Sequence, residues 1–212
     1  MSSLVLELQS KCIDPNITIT DLLRHALVVS RKLKLTDFEN WIKLELYGYK
    51  CPESELPDYR LVRGSILMCY NNQYFKTVEI EDKNLMDEIQ SHKVNFSVCD
   101  LENYISCAND NQVIMPLCYD LDYLLREYIG QNNKCVLSSE IYRLKSILDY
   151  VKSLILEWSL TLESDGILGD DMTFSDNETK IAQNINYNIN TFYKEVSNSQ
   201  IQQNSDNCNQ SI

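Results

Sequence analysis

The side chains in this chain with the most capacity for chemistry are carboxylates. Glu163, Asp165, Asp170, Asp171, Asp176 and Glu178 fall in one short stretch. Several of them converging could hold Mg²⁺, and the reaction class would be metal-assisted phosphodiester hydrolysis, as in a nuclease-type toxin. A plainer reading stands beside it. Gly166 and Gly169 mark a helix exit, Ser175 to Glu178 has the form of a capping box, and acidic residues favour the first turn of a helix. On that reading the stretch holds no metal, and no cofactor is expected.

A nucleophile offers less. Serine or cysteine needs a base, and His25 and His92 are the only imidazoles, neither in a recognisable motif. The five glycines are too scattered for a phosphate-binding loop. Eight cysteines are present, and no pair has the C-x-x-C spacing of a zinc or redox site. The opening Met1-Ser2-Ser3-Leu4-Val5-Leu6-Glu7-Leu8 lacks the basic region of a signal peptide, so disulfides are not expected and the thiols are read as free core fillers.

A third constellation surrounds one helix-to-loop junction, where Arg24, Trp41, Glu45, Tyr47, Tyr49, Tyr59 and Arg60 are candidates for a protein-binding patch. Tyrosine, tryptophan and arginine anchor interfaces because they combine large area with directed hydrogen bonds. The structural alternative places Trp41 in the core and Glu45 at the rim of the apolar face, paired with Arg24 or Arg60. Both readings leave the chain without a reacting group, and a non-enzymatic role is favoured over the nuclease alternative.

Charge narrows the partners. The formal net charge is −12, which sets the chain against phosphate backbones. Arg24, Arg31, Lys32 and Lys34 are its one basic grouping, read as a solvated helix face, so nucleic acid is a poor fit. No apolar run approaches the roughly 18–20 residues of a membrane helix. A cytoplasmic protein that meets a protein partner is the expectation.

The elements that must position these residues can be read from periodicity. Leu4, Leu8 and Cys12 share a face of a first helix, which Asp14-Pro15-Asn16 breaks. Thr20 is the expected N-cap of a second helix, and Thr36 to Glu39 a capping box opening a third that stops at Gly48. The short turn between them predicts an antiparallel helical hairpin. Alternation over Tyr59 to Tyr70 and Tyr74 to Ile80 predicts a β-hairpin. Short helices are expected over 82–90 and 100–105, a short strand over 94–96, and a helix opened by Pro116 and ending at Gly130. Ile141, Leu144, Leu148, Val151, Ile155, Trp158 and Leu162 alternate spacings of three and four, with Ile147, Leu154 and Leu160 beside them, so residues 139–162 form one long, broadly buried helix. The fold class is α+β and predominantly α: a helical bundle around that helix, with a small antiparallel hairpin over about 58–81. Residues 1–184 form the domain. Residues 185–212 are rich in Asn, Gln and Ser and are read as disordered or as a strand-forming assembly segment that could build a homo-oligomer.

Several of these segments resemble one known family. Ser3-Leu4-Val5-Leu6-Glu7-Leu8-Gln9 opens like the AbiTii domain, as do Asp21-Leu22-Leu23-Arg24-His25-Ala26 and Phe38-Glu39-Asn40-Trp41-Ile42-Lys43-Leu44-Glu45-Leu46-Tyr47-Gly48-Tyr49. Leu56-Pro57-Asp58-Tyr59-Arg60 is similar to the family's next motif, and Glu157-Trp158 through Gly166-Ile167-Leu168-Gly169 to its helix end, with Phe174-Ser175 and Glu178 following. The tail from Val196 to Gln203 looks like the Gly/Ser/Gln-rich strand segment after this domain in relatives, with Asn198 where glycine is usual. The resemblance covers about residues 2–184. It implies abortive infection against phage, carries no catalytic signature, and makes a defence-system protein or effector the expected partner.

Overall fold

A computed structural model describes residues 3–70, 74–80, 86, 89–117, 119–129 and 134–184. The chain divides into two units, residues 1–47 with 149–212, and residues 48–148. The expected helix over 82–90 and the polar tail fall largely or wholly outside the described residues.

Ser3 opens α1 (Leu4–Ile13) by accepting from the Leu6 amide, and the i, i+4, i+8 row buries Leu4, Leu8 and Cys12. The next cap is Thr18, not Thr20. Its backbone is extended and its hydroxyl accepts from Asp21 N at 3.0 Å, while Thr20 already lies inside α2 (Ile19–Lys32) and is buried. A capping hydroxyl must precede the first helical residue to reach an orphan amide one turn on.

The turn into α3 (Thr36–Tyr47) is closed by two bonds, Leu35 N to Ser30 O and Lys34 N to Arg31 O, with Lys34 at φ +59°. That is a Schellman ending with lysine in the place glycine usually takes. Glu39 does not cap the helix start as expected. Its carboxylate joins Arg31 (2.9 Å) and Lys43 (2.7 Å), and these hydrogen bonds, Lys43's first, hold it below the usual carboxylate range.

After α4 (Val98–Ser106) and α5 (Tyr119–Ile129), the long helix α6 runs Ile141–Ser164. Within the helical unit Phe38 stacks on Trp158 with ring centroids 4.0 Å apart and meets Trp41 edge-on at 5.1 Å. Val151, Leu154, Ile155, Trp158 and Leu162 are buried as the heptad pattern requires. Leu160 is the exception, being 42% exposed, so the buried stripe is narrower there than expected. The helix ends as the sequence predicts: Gly166 takes φ +74°, and the pair Ile167 N to Leu162 O and Gly166 N to Glu163 O closes a second Schellman motif. Leu168 O then accepts from Ser3 Oγ (2.7 Å) and Val5 N (3.1 Å), tying this exit to the start of α1. Ser175 caps α7 (Asp176–Asn184).

In the other unit two short 3₁₀ turns, Glu53–Glu55 and Asp58–Arg60, lead into β1 (Leu61–Arg63) and β2 (Ser65–Tyr70), which pairs with β3 (Tyr74–Thr77). The expected hairpin is part of a larger structure. β4 (Ser91–Lys93) pairs with β1, and β5 (Gln112–Pro116) and β6 (Lys134–Glu140) complete an antiparallel sheet of order β3-β2-β6-β5. Pro116 ends β5 and does not open a helix; β5 lies at an edge of the sheet, the place within sheets where proline is tolerated. The short strand expected at 94–96 is β4, three residues earlier. The cap of α4 (Val98–Ser106) is Ser97, and Asp100 is the reciprocal member of its capping box. Leu101, Leu121 and Leu125 of α4 and α5 (Tyr119–Ile129) join Ile66, Val113, Met115 and Leu137 of the sheet in one apolar core.

Six cysteines among the described residues are free. Cys12 and Cys135 fill core positions; burial pushes the Cys12 thiol up to about 12. Cys99 and Cys107 are exposed, contrary to a core role for all of them. No described helix is long and apolar enough to cross a membrane.

Candidate functional site

Arg60 is the most constrained of the expected site residues. It closes the Asp58–Arg60 turn and is fully buried. Its Nη1 donates to the carbonyls of Val94 (3.1 Å) and Phe96 (2.6 Å), and its guanidinium lies 4.6 Å from the centre of the Tyr49 ring. Backbone bonds reinforce the same joint: Val94 N to Arg60 O at 3.0 Å, Tyr49 N to Asn95 O at 2.9 Å. The Tyr49 and Tyr59 hydroxyls are 3.4 Å apart. Arginine suits this position because its planar fork can satisfy diverging carbonyls while its face packs on an aromatic ring.

Tyr49, Tyr59 and Arg60 are therefore brought together. Trp41 and Glu45 belong to the helical unit, where Trp41 packs on Phe38 and Glu45 is fully buried, not at the rim of the apolar face. Of the two partners expected for Glu45, Arg24 and Arg60, Arg24 turns outward to Asp21 at 2.7 Å on the surface of α2. Tyr47 is 71% exposed. Helical spacing explains the division: Trp41 and Glu45 share a face with Phe38 and Ile42, and Tyr47 lies off it.

The acidic stretch is folded into the backbone. Glu178 accepts from the amides of Leu168 (3.0 Å), Gly169 (2.8 Å) and Ser175 (2.8 Å) and from Ser175 Oγ (2.7 Å). Burial pushes its carboxyl up, but these donors outweigh burial and hold it at about 2. Glu163 accepts from Gln9 Nε2 at 2.9 Å. Asp170 and Thr173 exchange backbone bonds across a tight turn. Among the described residues, no three His, Cys, Asp or Glu side chains gather into a metal-ligand set. The two histidines lie in different units; His25 Nδ1 is 2.8 Å from Asp21 O, and His92 Nδ1 is 3.0 Å from Glu53.

A concave site that no motif announces lies where the chain passes from β1 to β2. Gly64 makes the passage possible, since a Cβ there would collide with Ser138 O. Strand pairing sets the lining: Arg63 faces Ser91, Ser65 faces Ser138, and Gln112 faces Glu140. With Gln90, Ser139 and Arg143 they enclose about 470 Å³. Ser139 Oγ donates to Arg63 O at 2.7 Å and Gly64 N to Gln90 O at 2.9 Å, fixing the walls. Arg143 lies over the Tyr142 ring at 5.0 Å, and its Nε is 3.9 Å from Glu140.

No curated protein and no solved structure matches the chain significantly. One family model does, over residues 3–187, and so takes in both units and every element described above. That match, with the helix exits, caps and buried joints where the resembling segments fall, makes the chain a member of the AbiTii family, which implies abortive-infection defence against phage.

Proposed function

We propose that the protein acts in abortive infection as a non-enzymatic interaction component that docks a protein partner on the outer face of α3. The observation that carries this reading is Tyr47, 71% exposed, one helical turn from Leu44, 42% exposed. An aromatic and an aliphatic side chain displayed together on a helix supply the kind of area that interfaces bury. The short turn of the helical hairpin puts Arg24 at the same, distal end of α2, so a cation stands at the level of the apolar pair. Trp41, meeting Phe38 edge-on, holds the helix in place and does not itself face outward.

Cross-linking in living cells tests this. With p-benzoylphenylalanine replacing Tyr47, irradiation during phage infection is expected to give a discrete adduct to another protein. The same probe at Glu157, exposed on α6, should give less. Equal labelling from both positions, or none from either, would count against docking at this face.

A further inference from the structure

We propose that the pocket between β1, β4, β6 and the start of α6 binds a small phosphorylated, hydroxyl-rich molecule, with Arg63 and Arg143 holding the phosphate. Its volume of about 470 Å³ is of the size that encloses small ligands. Two guanidinium groups face it against one carboxylate, Glu140, in a chain whose net charge is −12. A locally positive pocket in an acidic protein selects anions.

The position of Arg143 strengthens the case. It sits in the first turn of a 24-residue helix that carries no acidic residue in that turn. Helix N-termini carry positive partial charge, which disfavours a cation there and favours an anion. Glu140, 3.9 Å away and half exposed, offsets this only weakly. A bound phosphate would meet both arginines and relieve the mismatch. Guanidinium groups suit phosphate because their paired N–H groups match its oxygens.

The remaining lining addresses the rest of the ligand. Among the described residues, the side chains of Ser65, Ser91, Gln90 and Arg63 have no hydrogen-bond partner, so their donors and acceptors are available. Among the described residues, the lining holds no aromatic ring on which a base could stack. A sugar phosphate therefore fits better than a nucleobase. This proposal stands apart from docking on α3, and its test needs only the purified chain.

Calorimetric titration with ribose 5-phosphate at low salt should show saturable binding, and uncharged ribose should show none. Arg63→Gln and Arg143→Gln should each weaken binding roughly tenfold or more, the effect of losing a charge-assisted hydrogen bond. Circular dichroism checks that the variants fold; should Arg143→Gln unfold, Arg63→Gln carries the test, because that side chain is exposed. Absence of saturable binding, equal binding of ribose, or binding indifferent to the arginines would overturn the proposal. So would tighter binding of a 5′-phosphorylated oligonucleotide than of ribose 5-phosphate at the same residues.

Discussion

Glu178 Oε1 lies 2.8 Å from the amide nitrogen of Gly169, and the same carboxylate accepts from Leu168 and Ser175. An acidic side chain is here a clamp between the exit of α6 and the start of α7. The carboxyl is held at about 2 when folded, against 4.5 for an unperturbed glutamate. A depressed folded value means the clamp stabilises fully above about 4.5 and is lost as pH falls from there toward about 2. Urea unfolding of the wild type and Glu178→Gln should differ by about 1–2 kcal/mol at pH 7 and converge as the solution is acidified. A difference that persists unchanged at low pH would contradict the clamp.

Lys34 holds φ +59° at the end of α2, a conformation that costs a side-chain-bearing residue about 1–2 kcal/mol relative to glycine. Lys34→Gly should raise stability, by about 0.5–1 kcal/mol once the greater freedom of the unfolded chain is counted. Thermal unfolding by calorimetry reads the sign directly.

Trp158 is fully buried and stacked on Phe38. Trp158→Ala should cost about 3–5 kcal/mol, through lost apolar burial and the cavity left behind. Trp158→Phe keeps a ring against Phe38 and should cost less. Trp158→Leu, which fills much of the same space without a ring, should cost more than Trp158→Phe if stacking on Phe38 contributes, and denaturant midpoints of the three variants test this.

Gly64 runs against the β6 backbone, where a methyl group would meet Ser138 O. Neither strand can yield without breaking the Ser65–Ser138 pairing. Gly64→Ala should therefore destabilise by more than about 2 kcal/mol and weaken ribose 5-phosphate binding as well. Amide exchange in β6 would show the pairing loosen; an unperturbed strand would refute the close approach.

The helices were legible because their signal is redundant. Phe38, Trp41 and Ile42, or Val151 to Leu162, repeat one face over several turns, and Gly48, Gly166 and Ser175 punctuate the ends. β5 and β6 were not. β5 reads Val113-Ile114-Met115, apolar on both faces, and β6 points Cys135, Leu137 and the hydroxyl of Ser139 inward, so neither spells alternation. The family's segments were readable; their roles as joints were not, since Arg60 meets carbonyls more than thirty residues away. The pocket was invisible for the same reason. Arg63, Ser91, Gln112 and Arg143 become neighbours only through strand pairing across the unit.

The proposed docking on α3 makes defence depend on a displayed surface and not on a reacting carboxylate. Phage plating efficiency on cells carrying two double variants tests it most directly. Asp170→Asn with Asp171→Asn should leave protection intact, and Tyr47→Ala with Leu44→Ser should abolish it while the protein still folds. Loss of protection in the first pair with retention in the second would place the defence on the carboxylates instead.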